Sequence, residues 1–188
     1  MKLPWQDSEH VYGLISRRLH WAMALLFAWQ FLGMLIKLAI GRSPLTAFLV
    51  GTHRPVGLLL LVLCLLRIFW ALANAKRRPA YAATRGGQLA RLGHIMLYVL
   101  MLLIPSLALL RQFGSGKAFS AFGIQLTQDT GIEIAWMVAP ADLLHGLLAW
   151  CLLALIAGHV LMVLIHRYRF RDGTLARMLG KNALAQRG

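Results

Sequence analysis

An uncharged apolar segment near the end of the chain sets the strongest limit on the fold. Residues 143–166 contain no Asp, Glu, Lys or Arg. About 20 such residues are enough for an α-helix to cross the hydrocarbon core of a bilayer. The segment nevertheless holds His145, His159 and His166. Ionisable side chains inside a membrane span are costly, so these histidines are candidates for a functional role.

The spacing of the histidines indicates how they are arranged on a helix. His145 and His159 are separated by roughly 21 Å of helical rise and by a rotation about 40° short of four turns. They therefore lie on one face at two depths, and His166 continues that face near the end of the segment. Two ligands at two depths predict two cofactors stacked across a bilayer.

Composition extends the membrane interpretation to the whole chain. Of the 188 residues, 59% are hydrophobic and only 14% are charged, against about 25% charged in an average soluble domain. The sequence predicts a single all-α domain over residues 1–188, an integral membrane four-helix bundle. Its four spans are expected at about residues 20–40, 53–73, 92–110 and 143–166.

The positive charges are distributed unevenly between the two sides of these spans. Fourteen of the 20 Lys and Arg residues lie before the first span, in the loop after the second or in the tail, and five lie on the opposite side. Because basic residues gather in cytoplasmic loops, this asymmetry predicts that both termini are cytoplasmic. It also accounts for the net charge of +14 without a nucleic-acid partner.

Two further expectations concern the start of the second helix and the connection between the third and fourth spans. Pro55 is expected in the first turn of the second helix, where its missing N–H costs nothing. The longest connection, residues 111–141, is rich in glycine but has apolar patches. We expect a short helix there that lies on the bilayer surface.

With this topology, the depth of each histidine in the membrane can be estimated, and histidines on different helices fall at matching depths. The three pairs that result, from the outer to the inner side, are His53 with His145, His20 with His159, and His94 with His166.

Facing histidines in the core of a helical bundle are a common way to hold haem. Iron bound by two imidazoles has no open position, which suits electron transfer. Arg67 lies 14 residues after His53, on the same face and deeper inside, so we expect it to pair with a propionate of the inner haem. A flat porphyrin also needs small neighbours. The candidates are Gly33, Gly57, Gly146 and Gly158.

At these residues the chain resembles the bacterial cytochrome b561 family, whose best-known function is that of a superoxide oxidase. The resemblance covers nearly the whole chain, and the order and spacing of the histidines carry most of its specificity. The matching motifs are SRRLHW, THRPVG, RLGHIMLYVLMLLIP, AFG, LHGLLAW, GHVLMVLIHRY and RDGTLARML.

The resemblance implies a multi-pass protein of the bacterial inner membrane with two haems b. By this resemblance, superoxide is expected to give up an electron on the periplasmic side, and ubiquinone is expected to be reduced near the cytoplasmic side. The implied axial ligands of the iron are His53 and His145 for the outer haem, and His20 and His159 for the inner haem. By the same resemblance, His94 and His166 lie in the quinone region.

Superoxide is an anion, so positive side chains on the outer side are candidate steering charges. They are Arg42, Arg54, Arg111 and Lys117. Asp129, Glu133 and Asp142 on the same side weaken that field.

Three functions compete at this point. The first is a superoxide:ubiquinone oxidoreductase embedded in membrane lipid. The second is a non-catalytic cytochrome b, a partner subunit that links a periplasmic redox protein or dehydrogenase to the quinone pool. The third, from another class, is a histidine-lined metal transporter, which the lack of carboxylates in the spans disfavours.

Overall fold

The computed structural model describes residues 5–180 and is mostly helical. Four of its helices are long and apolar enough to cross a membrane, which confirms the predicted all-α membrane class. In chain order the elements are α1 (Leu14–Ile40), α2 (Pro44–Ala73), α3 (Arg85–Gly114), β1 (Phe119–Ala121), β2 (Ile124–Thr127), α4 (Ala135–Ile165), a π-helical turn (His166–Phe170) and α5 (Thr174–Leu179).

The four long helices begin well before the spans expected from composition. The helix that contains the expected span 143–166, for example, begins at Ala135. An apolar window marks only the lipid-facing stretch, whereas the backbone hydrogen-bond ladder continues into the polar residues that flank it. The expectation for Pro55 is wrong for the same reason, because Pro55 lies in the interior of α2.

The true start of α2 is fixed by a local capping motif. The Thr46 N–H donates to Ser43 Oγ (3.2 Å), and the Ser43 N–H donates to Thr46 Oγ1 (2.8 Å). This reciprocal pair satisfies donors that a helix start leaves free, and Pro44 occupies the first helical position, which favours proline. Gly41, with φ of 71°, ends α1, so the chain turns from α1 into α2 within three residues.

The connection between α3 and α4 contains a β-hairpin, so the prediction of an interfacial helix there is wrong. Strands β1 and β2 pair antiparallel. Phe122 (φ 53°) and Gly123 (φ 80°) form the turn, and two positive φ angles are typical of the tightest hairpin turns. Side chains along β1 are alternately buried and exposed. The sequence signal for this strand was the alternation of apolar and polar residues in Phe119-Ser120-Ala121.

The chain forms two compact units, and each of the four long helices contributes a segment to both. Unit 1 comprises the described parts of Met1–Ala22, Leu65–Tyr98 and Ala154–Gly188, and unit 2 comprises Met23–Cys64 and Val99–Leu153. The histidines of the spans divide between them. Unit 1 contains His20, His94, His159 and His166, and unit 2 contains His53 and His145.

Large apolar side chains cover the outside of the long helices. Leu38, Phe69 and Leu143 are each at least 70% exposed. Such surfaces are unfavourable in water but not in lipid, where helices associate through close packing rather than through burial of apolar area. The exposure therefore agrees with four membrane-spanning helices.

Candidate functional site

In unit 2, His53 of α2 and His145 of α4 face each other across a gap. Their ring centroids are 6.1 Å apart and their planes differ by 70°. The Nδ1 atoms of both rings are buried and have no hydrogen-bond partner within residues 5–180. Buried polar atoms nearly always have a partner. Two orphaned nitrogens at one place therefore indicate a site for a bound group.

The two histidines line a cavity of about 620 Å³, together with Gly57 and Gly146. This volume is within the range of small-molecule and cofactor sites, about 300–1,000 Å³. A Cβ atom added at Gly146 would meet nothing within 4 Å, and one at Gly57 would meet only the Gln30 amide, at 3.5 Å. The glycines thus leave open space next to the imidazoles.

Polar side chains of α1 hold the turn of α2 that carries His53. The Gln30 Nε2–H donates to the His53 carbonyl (2.9 Å), and the Trp29 Nε1–H donates to Thr52 Oγ1 (2.9 Å). Gln30 was not among the residues predicted from the sequence. Its signal was an amide side chain in the middle of an apolar span, where a polar group needs a specific partner.

In unit 1, three imidazoles come together. His20 of α1 and His159 of α4 have ring centroids 6.3 Å apart, with an angle of 69° between the planes. The ring of His94 lies 5.2 Å from that of His159. His94 Nδ1 is 2.7 Å from the Ala90 carbonyl, so Nδ1 carries the proton that it donates to this oxygen. Nε2 of His94 is then the nitrogen left for other chemistry.

The first two expected pairs have the separation that haem requires. With metal–nitrogen distances of about 2 Å on each side, two axial imidazoles have ring centroids about 6 Å apart. His53 with His145 and His20 with His159 both match this value, whereas His94 stands closer to His159. The donor chemistry, the separation and the open space in unit 2 all fit haem.

Two expectations are not matched by the observed contacts: the pair His94 with His166, and the place of Gly33 beside a histidine. The described part of the chain shows no ring contact between His94 and His166. Gly33 is also not next to a histidine, since a Cβ there would meet the Leu49 side chain at 3.3 Å. Gly33 therefore serves the packing of α1 on α2. Gly158, beside His159, has open space like Gly146.

Arg67 is a fixed cation in unit 1. Its Nε–H donates to the Tyr98 hydroxyl and its Nη1–H donates to the Ser16 carbonyl, both at 3.0 Å. Both partners are neutral, and no carboxylate in residues 5–180 forms an ion pair with Arg67. A cation without an anion is unfavourable inside a span. The carboxylate of a bound group, such as a haem propionate, would compensate its charge.

Of the four candidate steering charges, Arg54 and Arg111 line the cavity beside His53, whereas Arg42 and Lys117 do not. Arg111 donates through Nε to Asp142 Oδ1 at 2.5 Å. Its charge is therefore partly neutralised. Arg54 is the cavity cation without an ion-pair partner in the described chain.

His166 begins the π-helical turn after α4 and has different neighbours from the other histidines of unit 1. Its Nδ1 lies 2.5 Å from Asp172 Oδ2, and its ring is 5.2 Å from that of Phe170. Asp172 also accepts hydrogen bonds from the Thr174 N–H (3.0 Å) and hydroxyl (2.7 Å). Asp172 was not predicted as a site residue from the sequence, although it follows His166 by only six residues.

Tyr81, in the loop after α2, is a third residue that was not predicted from the sequence, after Gln30 and Asp172. Its ring centroid is 5.7 Å from that of His94, and its side chain is 46% exposed. His94 therefore lies next to both the partly exposed ring of Tyr81 and the ring of His159.

Comparison with known proteins gives a consistent result. The family model described as prokaryotic cytochrome b561 matches residues 11–181. The chain is 30% identical over 190 aligned residues to a protein named cytochrome b561 homolog 2 from Escherichia coli (strain K12), covering 96% of this chain and 97% of that one. It is 24% identical over 180 residues to the probable superoxide oxidase CybB of Yersinia pestis, covering 90% and 96%.

Proposed function

Because the chain belongs to the prokaryotic cytochrome b561 family, it is a membrane electron-transfer protein, and we propose that it oxidises superoxide and reduces ubiquinone. Family membership replaces the metal-transporter hypothesis. In the proposed reaction, two superoxide ions lose one electron each and leave as dioxygen. Ubiquinone takes up both electrons together with two protons and becomes ubiquinol.

The observation that carries the proposal is the presence of two pairs of facing imidazoles. Their ring centroids are 6.1 Å apart in His53 with His145 and 6.3 Å apart in His20 with His159. The family implies haem b, and we propose that two haems would be held through their iron, one by His53 with His145 and the other by His20 with His159. Haem held by two imidazoles supplies one-electron chemistry at its iron. Arg67 is proposed to bind a propionate at the second pair.

The charge asymmetry of the loops supports an orientation with both termini in the cytoplasm of the inner membrane. In that orientation, His53 and His145 lie towards the periplasm, where Arg54 faces the same cavity. A single unneutralised cation attracts an anion such as superoxide. His94, Tyr81 and the His166–Asp172 pair lie towards the cytoplasm, and we propose that ubiquinone and its protons arrive there.

Haem reduction by an enzymatic source of superoxide tests this function. Reduction should be followed in the purified protein, with superoxide dismutase added as the control. Dismutase should abolish the reduction, because it removes the proposed donor. Reduction that continues at the same rate in the presence of dismutase would exclude superoxide as the donor.

A second candidate function is that of an electron carrier fed by a periplasmic redox protein. The observation in its favour is the Arg111–Asp142 ion pair, because it leaves less positive charge at the cavity for a small anion. The dismutase experiment separates the two functions. A carrier would be reduced by a protein donor but not by superoxide.

Of the residues proposed to lie towards the cytoplasm, His166 is the one best placed to donate or accept a proton. A general acid or base typically contributes about 100-fold or more to a rate. We therefore expect His166→Ala to slow reoxidation of the reduced protein by ubiquinone by about 100-fold, while the haem spectrum stays unchanged. His10→Ala, in the exposed N-terminal segment, is the matched control. Equal reoxidation rates in the two variants would remove His166 from this role.

The turn that holds His166 should depend on pH through Asp172. Partial burial raises the pKa of the Asp172 carboxyl, but hydrogen bonds from Thr174 and His166 outweigh it and hold that pKa below its ordinary value. A carboxyl with a lowered folded pKa contributes stability that is present above its unfolded pKa and lost as pH falls through the folded value.

We therefore expect residues 166–174 to stay ordered at pH 5 and to loosen only below about pH 4. Amide hydrogen exchange of this segment, corrected for the intrinsic effect of pH, measures the change. Asp172→Asn should already be loose at pH 7 and should show no step. Wild-type protection that is equal at pH 3 and pH 5 would contradict the expectation.

A further inference from the structure

Asp7 is a buried carboxylate that ties the N-terminal segment to the start of α1. Its side chain is fully buried (0% exposed). One oxygen accepts the Gly13 N–H (2.8 Å), and the other accepts the Ser16 hydroxyl (2.8 Å) and the Arg78 Nε–H (3.0 Å). A buried charge is costly unless it is paired and hydrogen-bonded. Three donors, one of them cationic, meet that requirement.

Ser16 connects this carboxylate to the histidine cluster of unit 1. Ser16 is 1% exposed and lies four residues before His20, so the helical pattern joins the Ser16 carbonyl to the His20 N–H. The same carbonyl accepts the Nη1–H of Arg67. Ser16, one helical turn before His20, is thus held at its side chain by Asp7 and at its backbone carbonyl by Arg67.

The arms of this network reach two other elements. Arg67 donates to the Tyr98 hydroxyl of α3, and the Arg78 guanidinium, in the loop after α2, lies 5.5 Å from the Tyr12 ring centroid. The Tyr12 hydroxyl is shielded by burial, which raises its pKa, although Arg78 opposes this. A polar network with all its members bonded is rigid, so the first turns of α1 have one preferred position.

We propose that Asp7 is a positioning residue for His20: through Ser16 it fixes the depth and rotation of the α1 turn that presents His20 to His159. This rests on the proposed function, because it assumes that His20 is a haem ligand. The alternative is that Asp7 only anchors the N-terminal segment. The two roles predict different results when the hydrogen bond between Ser16 and Asp7 is removed without a change in charge. Only the positioning role predicts a change in the spectroscopic properties of the haem.

Ser16→Ala is the deciding variant. It removes one hydroxyl donor to Asp7, keeps the charge of the protein and keeps the carbonyl that Arg67 and His20 share. We expect the low-spin electron paramagnetic resonance signal of one of the two haems to shift, and its reduction equilibrium to change by up to about tenfold, equivalent to 59 mV for one electron. Asp7→Ala should change the same signal more strongly.

Arg78→Gln is the matched control, because it removes a cation from Asp7 but leaves the contacts of Asp7 to Gly13 and Ser16. Its resonance signal should remain that of the wild type. Thermal unfolding of each variant reports anchoring separately. If Asp7→Ala fails to fold, Ser16→Ala still decides the question.

The outcomes distinguish this inference from the proposed function. Two wild-type haem signals that stay unchanged in Ser16→Ala and in a folded Asp7→Ala would overturn the positioning role and leave the haem ligands in place. A wild-type protein without a second haem signal would overturn the ligand assignment on which the role rests. A signal shift in Arg78→Gln as large as in Ser16→Ala would assign the effect to charge and overturn positioning.

Discussion

Replacing His145 by alanine is expected to remove one haem and to leave the other, so that haem content falls to about half. His145 and His53 are the only imidazoles that face the cavity of unit 2 within residues 5–180. No other histidine is therefore placed to substitute for the missing ligand. Haem per protein, measured on the purified variant from its pyridine complex, gives the result.

The pairing of His53 with His145 also predicts the result for the partner residue and for the double variant. His53→Ala should remove the same haem, and the double variant His53→Ala/His145→Ala should lose no more than either single one, because both side chains serve one iron. His10→Ala should retain full haem content. Full content in His145→Ala, or two distinct losses that add in the double variant, would contradict the pairing.

Gly146→Leu is expected to have an effect of similar size by a different route. Gly146 lines the cavity, and a Cβ there meets nothing within 4 Å. The added Cβ has room, and leucine has a higher helix propensity than glycine. The side chain then fills space proposed for the porphyrin. We expect a folded protein that lacks the haem of unit 2.

Gly51→Leu provides a matched control for this substitution. Gly51 is also helical and also has nothing within 4 Å of an added Cβ, but it does not line the cavity. It should retain both haems and the wild-type melting temperature. Equal haem content in Gly146→Leu and Gly51→Leu would show that the cavity is not the porphyrin site.

Much of the architecture follows from sequence because the bilayer removes most alternatives. Four apolar stretches of sufficient length can hardly avoid becoming helices, since a spanning backbone must satisfy its own hydrogen bonds. Alternating spans then fix the depth of each histidine. The contacts of His53 with His145 and of His20 with His159 agree with the depths expected for these histidines.

Depth alone does not determine which helices are neighbours. His94 and His166 have matching depths, yet the ring of His94 lies against that of His159. The rotation of each helix about its axis decides such contacts, and it depends on packing such as that of Gly33 on Leu49. A single sequence with weakly amphipathic, lipid-facing helices contains little information on that rotation.

The hydrogen bonds between polar side chains outside the spans could also not be predicted from the sequence. Asp7 finds Gly13, Ser16 and Arg78, and the last of these is 71 residues away in the chain. Long-range hydrogen bonds of this kind have no local pattern. The capping box at Ser43 and Thr46, by contrast, is a local signal that was present in the sequence, and it would have placed the start of α2 correctly.

The central claim is that two histidine pairs hold two haems b. Its most direct test is the dithionite-reduced minus oxidised spectrum of the purified wild-type protein, together with the haem-to-protein ratio of the same sample. We expect the α-band of a b-type cytochrome and two haems per chain. A spectrum without that band, or a fully loaded protein with a single haem, would contradict the claim.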